Sequence, residues 1–262
     1  MKKKIKFLNK IFNRPITCLT AYSGAIAKIL DGNVDMILIG DSLGSTIYNM
    51  KNTRGVTLEM MKMHGKAVTE NVKKCITIID MPYRSYRTKI MALKNARELL
   101  NYSKAKVLKL EISKKNIPII NYLSKKKFNV IAHIGVTPQS YSDFKKIRVV
   151  GRQEIERLEL LNLALSAQKA GAKAILLECV VESVSKEITS SLSIPTIGIG
   201  SSKHCDGQVL VFDDLVNIND SQKLPKFVKK YMNFDQQAKK AIGKFSKEVK
   251  LRKFPNKKYT YQ

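Results

Sequence analysis

The sequence has no tryptophan, only three histidines, and four cysteines that are widely scattered with no C-x-x-C spacing. This cysteine pattern points neither to a disulfide framework nor to a zinc site, so we expect the reducing cytoplasm as the location of the protein. No apolar run approaches the roughly 20 residues of a membrane helix, and we expect no membrane partner. Polar side chains interrupt the basic start of the chain, which argues against a secretory signal.

Acidic residues are also scarce, with 21 Asp and Glu against 48 Lys and Arg and a formal net charge of +27. Such a charge can serve a nucleic-acid partner, but a binding surface concentrates its basic residues. Here lysine is spread through nearly every predicted helix and loop. We therefore expect no nucleic-acid partner, although the positive field still favours anionic substrates.

The chain does contain eight short apolar runs, most of which end in a polar residue that can bind a metal or move a proton. Strands buried on both faces read as continuous hydrophobic runs, and helical patterns between them predict βαβ units. The length of 262 residues is close to the roughly 250 of one barrel domain. We therefore predict an α/β fold, a single (β/α)8 TIM-type barrel over residues 1–262. The predicted strands are Ile16–Ala21, Met36–Gly40, Ile76–Asp80, Val107–Glu111, Asn129–His133, Ala174–Glu178, Thr196–Gly200 and Val209–Phe212.

Helices are predicted between the strands and at both ends of the chain. Between strands, one predicted helix starts at Thr57 and the others cover Ala92–Leu100, Arg152–Ala170 and Ser183–Leu192. The helix over Arg152–Ala170 carries Ile155, Leu158, Leu161, Leu165 and Gln168 on or near one stripe. Residues 1–14 are predicted to form an N-terminal arm or short helix. Residues 225–262 are predicted to form a helical extension that starts at Pro225 and ends in a polar and aromatic tail. This extension packs either on its own barrel or on a neighbouring subunit.

Carboxylates follow two of the apolar runs, at Asp41 and Asp80, and a barrel would bring them to one rim. Converging carboxylates repel each other unless a proton or a cation lies between them. Hard oxygen ligands without a Cys/His set favour Mg²⁺ over zinc. Glu111 is then either a third ligand or acts through water. The alternative is that each Asp caps the following helix, but the three carboxylates together favour the metal.

Three further side chains at run ends are candidates for chemistry. Lys109 lies two residues before Glu111, so both point to the barrel interior, where the lysine needs either a substrate carboxylate or Glu111 as its partner. His133 either contacts a substrate keto group or is a satisfied core residue. Glu178 follows apolar residues, which raise the pKa of a carboxylate and suit a general base, or it forms an internal ion pair.

These residues lie in longer stretches whose sequences, and whose order along the chain, can be compared with known families. The stretches include IGDSLG at 39–44, DMPYRSY at 80–86, KLE at 109–111, HIGVTPQS at 133–140, LLECV at 176–180 and CDGQVLV at 205–211. In them the sequence resembles the ketopantoate hydroxymethyltransferase (3-methyl-2-oxobutanoate hydroxymethyltransferase) family, over nearly the whole chain. It departs from the family pattern at Ser23, Ile112, Ser113, Val150, Ser201 and Ser202.

The resemblance implies a reaction and a role for each candidate. The reaction is transfer of a hydroxymethyl group from 5,10-methylenetetrahydrofolate to 3-methyl-2-oxobutanoate, giving 2-dehydropantoate through a Mg²⁺-stabilised enolate, in a homo-oligomer that is a decamer in the family. The implied metal-binding residues are Asp41, Asp80 and Glu111, the implied substrate-binding residues are Asp41, Ser42, Asp80, Lys109 and His133, and the implied general base is Glu178. Two rivals remain, a Mg²⁺-dependent 2-oxo-acid lyase or mutase on the same barrel and a basic nucleic-acid-binding protein.

Overall fold

Eight parallel strands close into a barrel in chain order, which confirms the predicted (β/α)8 fold. The structure, a computed structural model, describes residues 14–143, 146–218 and 224–261. The predicted N-terminal arm therefore lies, except for Arg14, outside the described residues. The strands are β1 (Ile16–Thr20), β2 (Met36–Ile39), β3 (Ile76–Asp80), β4 (Val107–Glu111), β5 (Val130–Gly135), β6 (Ala174–Glu178), β7 (Thr196–Ile199) and β8 (Gly207–Leu210).

The last strand begins earlier than the apolar pattern predicts. β8 starts at Gly207, which pairs with Ile16 of β1 and Ile197 of β7. A Cβ at Gly207 would lie 2.7 Å from the Cβ and the carbonyl oxygen of Ile16, so only glycine fits. Phe212, predicted as the last strand residue, instead begins a helix. Glycine is depleted in strands, so the propensity pattern placed β8 two residues too late.

Helices follow most strands and surround the barrel. Several begin at the side-chain caps that their sequences favour: the Thr57 and Thr88 hydroxyls accept the Met60 and Met91 N–H groups. In the barrel unit the helices are α1 (Gly24–Leu30), α2 (Leu43–Thr46), α3 (Leu58–Thr69), α4 (Lys89–Ser103), α5 (Ile117–Lys125), α6 (Glu154–Lys169) and α7 (Glu182–Ser191).

Helix α6 buries a different face from the predicted one. The predicted stripe is largely exposed, with Ile155 at 64% and Leu158 at 41%. The buried residues are Leu160, Ala164 and Ala167. Small alanine side chains allow the helix to approach the sheet closely, and a reading based on large apolar residues misses them.

The barrel interior is apolar at its centre and charged at one end. Along β4 every second side chain points into the barrel, namely those of Val107, Lys109 and Glu111. Val107 belongs to the interior apolar cluster with residues such as Met36 and Ile131. Leu108 and Leu110, which point the other way, are fully buried. The strand period of two therefore places apolar side chains in the barrel and the charged ones above them, at the carboxyl ends of the strands.

The chain divides into two compact units, the first ending at Val211 and the second running from Phe212 to Gln262. In the second, α8 spans Phe212–Leu215 and α9 spans Phe234–Lys250. The prediction of a helix from Pro225 is wrong: the Tyr231 and Phe234 N–H groups donate to carbonyls of residues 215 and 216, and Asn233 caps α9. Behaviour of the whole chain as one domain stays a prediction. Within the described residues, no helix is long and apolar enough to span a bilayer.

Candidate active site

Six of the seven predicted site residues have charged or imidazole side chains, and all six lie at the carboxyl ends of β2 to β6. Five of these are nearly inaccessible, with exposures of 2–6%, and the Glu178 side chain is 18% exposed. The buried five are Asp41, Asp80, Lys109, Glu111 and His133. Burial of so many charges is costly unless they are paired, so their partners decide what the site can do.

The two aspartates converge. The backbone N–H of Asp41 donates to Asp80 Oδ2 at 3.0 Å. Neither carboxylate caps the helix that follows it: α2 has Ser42 at its N-cap without a side-chain bond, and α4 is capped by Thr88. The capping alternative is therefore wrong, and both carboxylates remain available to the site.

Gly40 packs against the side chain of Ser42. A Cβ on Gly40 would lie 2.8 Å from Ser42 Oγ and 3.6 Å from Asp80 Oδ2. Ser42 Oγ in turn shares a hydrogen bond of 2.7 Å with the Tyr22 hydroxyl. A Cβ at Gly40 would therefore displace the Ser42 hydroxyl from its present position beside Tyr22.

A line of contacts runs from Asp80 to Glu178. Lys109 Nζ lies 2.9 Å from Asp80 Oδ1 and 3.3 Å from His133 Nδ1. His133 Nε2 lies 3.2 Å from Glu178 Oε2. Burial lowers the pKa of Lys109, but the charges of Asp80, Asp41 and Glu111 raise it by more than burial lowers it, so the net shift is upward. Lys109 is therefore an ammonium that pairs with Asp80 rather than with Glu111.

The protonation of His133 follows from its two neighbours. Burial, and then the charge of Lys109, lower the pKa of His133, so the ring is neutral. An ammonium cannot accept a hydrogen bond, so Nδ1 accepts from Lys109 and the proton resides on Nε2. Nε2 lies 3.2 Å from Glu178 Oε2 but makes no hydrogen bond to it. His133 is thus the direct neighbour of Glu178.

Gln139 is a buried hub that the sequence analysis did not single out. Its Nε2 donates to Asp41 Oδ2 at 2.7 Å and to the Met81 carbonyl at 3.0 Å. Its backbone N–H donates to both oxygens of Glu111, at 3.2 and 3.0 Å. The Tyr86 hydroxyl donates to Gln139 Oε1 at 2.7 Å. A polar residue in a loop after proline is typical of an exposed turn, so neither Gln139 nor Tyr86 was assigned a role, although both lie in quoted stretches, HIGVTPQS and DMPYRSY.

The carboxylates carry more negative charge than their protein partners neutralise. Burial, and then repulsion by Asp80, raise the pKa of Asp41 to about 7. Burial, and then repulsion by Asp41, raise the pKa of Glu111 well above its usual value. Close carboxylates of this kind are the setting that a bound cation relieves.

The donor set fits one hard divalent cation. Asp80 Oδ1 is buried and receives no hydrogen bond, since Lys109 is near it but off the hydrogen-bond direction. Among the described residues no three His, Cys, Asp or Glu side chains form a ready metal cluster. Mg²⁺ needs only one or two carboxylates, with water or substrate in its other positions. Because both oxygens of Glu111 accept from Gln139, the route through water suits Glu111 better than direct ligation.

The chain has close relatives among known proteins. The sequence profile of the family described as ketopantoate hydroxymethyltransferase matches residues 2–257. A 3-methyl-2-oxobutanoate hydroxymethyltransferase of Pelagibacter ubique is 45% identical over 99% of this chain and 99% of its own length. Enzymes of the same name from Rhizobium rhizogenes and Anaplasma marginale are 41% and 38% identical, over 95% and 94% of this chain and 91% and 88% of their own lengths.

Solved structures with the same architecture are more distant in sequence. 2,3-Dimethylmalate lyase has a TM-score of 0.61 at 13% identity, covering 96% of this chain and 88% of its own. Phosphonopyruvate hydrolase in complex with oxalate and Mg²⁺ has a TM-score of 0.56 at 13% identity, covering 90% and 83%. At such identities the likeness shows the fold alone.

Proposed function

The chain belongs to the ketopantoate hydroxymethyltransferase family, and on this premise we propose that it transfers a hydroxymethyl group from 5,10-methylenetetrahydrofolate to 3-methyl-2-oxobutanoate, giving 2-dehydropantoate for pantothenate biosynthesis. The observation that carries the proposal is the buried line of contacts from Asp41 through Asp80, Lys109 and His133 to Glu178. It combines the Asp41 and Asp80 carboxylates, the Lys109 ammonium and the Glu178 carboxylate at the same end of the barrel.

Asp41 and Asp80 would hold Mg²⁺, and Glu111 would support it through water. When bound, Mg²⁺ supplies Lewis-acid stabilisation of the negative charge that develops on the keto acid. The phosphonopyruvate hydrolase structure, which contains oxalate and Mg²⁺, supports the choice of metal. Gln139 keeps the Asp41 carboxylate in place through its 2.7 Å hydrogen bond.

The substrate carboxylate has two partners in this chain. Lys109 is a buried ammonium whose charge suits an anionic group, and Ser42 supplies a hydroxyl that Tyr22 orients. His133 lies between Lys109 and Glu178, beside the space that the keto acid would occupy. These side chains fix which face of the substrate meets the base.

Glu178 would take the proton from C3 of the keto acid, and the resulting enolate would form a carbon–carbon bond to the methylene carbon of the folate. Water would supply the oxygen of the new hydroxymethyl group. Both bonds from the methylene carbon to the folate nitrogens would break, and the nitrogens would take up one proton from Glu178 and one from the water as tetrahydrofolate leaves. Glu178 suits this role because it is the most exposed carboxylate of the line, and its oxygen lies 3.2 Å from the neutral His133 ring. A donation from Nε2–H, once the two groups align, would hold the carboxylate without neutralising it.

The test is an assay of 2-dehydropantoate formation from the two substrates, run with Mg²⁺ and after exhaustive chelation. We expect product only when both Mg²⁺ and 5,10-methylenetetrahydrofolate are present. Full activity after chelation would contradict the metal role of Asp41 and Asp80.

A lyase or mutase acting on a 2-oxo acid is the second candidate, favoured by the fold shared with 2,3-dimethylmalate lyase. Such an enzyme would consume its 2-oxo acid without any folate. Nucleic-acid binding is the non-enzymatic alternative. It predicts salt-sensitive binding that survives Asp41→Ala and Asp80→Ala.

We also propose that the chain forms a homo-oligomer in the cytoplasm, a decamer by its resemblance to the family. Analytical ultracentrifugation measures the assembly directly. A monomer at micromolar concentration would contradict this part of the proposal.

A further inference from the structure

A pocket of about 430 Å³ opens beside the candidate active site, on the segments that follow β2, β3, β4 and β5. Its lining includes Arg54, Arg84 and Arg87 together with Glu111 and Gln139. This volume is in the range that small-molecule sites occupy. Of these five residues, only Glu111 and Gln139 have a role in the reaction proposed above, so the three arginines have no assigned role.

The three arginines of the pocket have no carboxylate partner among the described residues. In the described chain, Arg14 and Arg157 form ion pairs with carboxylates, whereas no ion pair involves Arg54, Arg84 or Arg87. Guanidinium groups bind carboxylates through two parallel hydrogen bonds when the geometry allows. These arginines are thus suited to an anion with more than one carboxylate.

Tyr83 holds two of these arginines together. The Arg54 guanidinium carbon lies 4.4 Å from the centre of the Tyr83 ring, and that of Arg84 lies 5.0 Å from it. Arg54 also donates a hydrogen bond to the Tyr83 hydroxyl. Hydrogen bonding from Arg54, and then from Arg84, lowers the pKa of this hydroxyl. Arg84 itself has a φ of 65°, a left-handed conformation that costs energy in a residue with a side chain.

The pocket adjoins the site where the keto acid would react. Gln139 lines the pocket while its Nε2 lies 2.7 Å from Asp41 Oδ2. Glu111 lines the pocket while its Oε1 lies 4.0 Å from His133 Nδ1. A molecule in the pocket is therefore separated from the candidate site by single side chains.

We propose that this arginine pocket binds the p-aminobenzoyl-glutamate part of the folate co-substrate, with the glutamate carboxylates on Arg54, Arg84 and Arg87. The inference rests on the proposed function, because that function requires a folate beside the keto acid. The carboxylates of the tail match the unpaired guanidinium groups, and Tyr83 and Tyr86 supply aromatic surface for the benzoyl ring. Additional γ-linked glutamates add carboxylates, so the pocket favours polyglutamylated folate.

The kinetic test compares 5,10-methylenetetrahydrofolate carrying one glutamate with the same compound carrying three. In Arg84→Gln and Arg87→Gln we expect the KM for the triglutamate to rise about tenfold, as for loss of one charge-assisted contact. The KM for 3-methyl-2-oxobutanoate should change by less than about twofold. Both variants keep an uncharged polar side chain, and neither arginine forms an ion pair whose loss would disturb the fold.

Arg97→Gln is the matched control. Arg97 is exposed on α4, carries the same charge and does not line the pocket. It measures the contribution of the general positive field of the protein. Equal KM changes in Arg97→Gln and Arg87→Gln, or no change in either pocket variant, would overturn the inference.

Binding is measured separately from turnover, by calorimetry with unreactive tetrahydrofolate mono- and triglutamate. We expect wild-type protein to prefer the triglutamate and Arg84→Gln to lose that preference. Inorganic phosphate is added as a competitor; if it displaces the triglutamate at equal concentration, the pocket is a site for small anions and the inference is wrong. If wild-type protein binds the triglutamate but forms no 2-dehydropantoate, the proposed function fails while the binding site stands.

Discussion

Replacement of Gln139 by alanine should destabilise the fold and weaken the affinity of the site for Mg²⁺. The side-chain amide makes hydrogen bonds to Asp41 Oδ2, to the Met81 carbonyl and from the Tyr86 hydroxyl, at 2.7, 3.0 and 2.7 Å. Its backbone N–H still serves Glu111 after the substitution. Gln139→Ala therefore removes the support of one carboxylate and leaves that of the other.

The magnitude follows from the buried partners left behind. Asp41 and the Met81 carbonyl lose a donor, whereas the Tyr86 hydroxyl keeps its 3.1 Å contact with the Glu111 carbonyl. An unsatisfied buried group costs about 1–3 kcal/mol. We expect the free energy of unfolding to fall by about 3 kcal/mol, and the Mg²⁺ concentration for half-maximal activity to rise about tenfold or more, as for other supports of metal ligands.

Gln168→Ala separates the two effects. Gln168 Oε1 accepts from the backbone N–H groups of Ser193 and Ile194, at 2.7 and 3.2 Å, far along the chain from the aspartates. Urea unfolding and Mg²⁺ titrations of activity are measured for both variants. Gln168→Ala should lose stability and keep the wild-type Mg²⁺ requirement. A Mg²⁺ requirement in Gln139→Ala equal to that of the wild-type protein would refute the role of Gln139 in holding Asp41.

Three further predictions concern the base, the metal and the strand packing. Glu178→Gln should still bind 3-methyl-2-oxobutanoate, yet NMR should detect no exchange of its C3 proton with solvent; undiminished exchange would remove Glu178 from the mechanism. Asp80→Ala should lose Mg²⁺-dependent turnover and leave Lys109 buried without its 2.9 Å partner, so wild-type turnover at the wild-type Mg²⁺ concentration would contradict its role. Gly135→Ala should lower the free energy of unfolding by about 3 kcal/mol, because its Cβ would lie 2.3 Å from the Glu178 carbonyl oxygen at a φ of 95°. Its control, Gly243→Ala, has nothing within 4 Å and should not destabilise, since alanine is favoured in helices by about 0.5–1 kcal/mol; equal losses in calorimetry would contradict the packing argument.

The strands and the positions of the charged side chains were readable from the sequence for one reason. A strand buried on both faces must be a continuous apolar run, so Ile76–Asp80, Val107–Glu111 and Ala174–Glu178 have the predicted bounds. Parallel strands of a closed barrel end on the same rim, so the polar residues after them meet regardless of their separation along the chain. Convergence of Asp41 with Asp80 follows from that topology.

Side-chain pairing within the rim, by contrast, was decided only by the tertiary structure. From the sequence, the partner of Lys109 was either Glu111 or a substrate carboxylate. In the structure, the register of the parallel strands places Lys109 beside Asp80 on the neighbouring strand. Gln139 and the arginine pocket arise from loops, whose conformations depend on contacts that no local period encodes.

The same physics explains the misplaced elements. β8 begins at a glycine chosen for closeness to Ile16, α6 packs through alanines, and α9 starts late because tertiary bonds take the preceding N–H groups. Residue type and period determine which segments are strands or helices and which residues reach the rim. Distances across the folded chain determine where elements stop, which face is buried and which charge meets which partner.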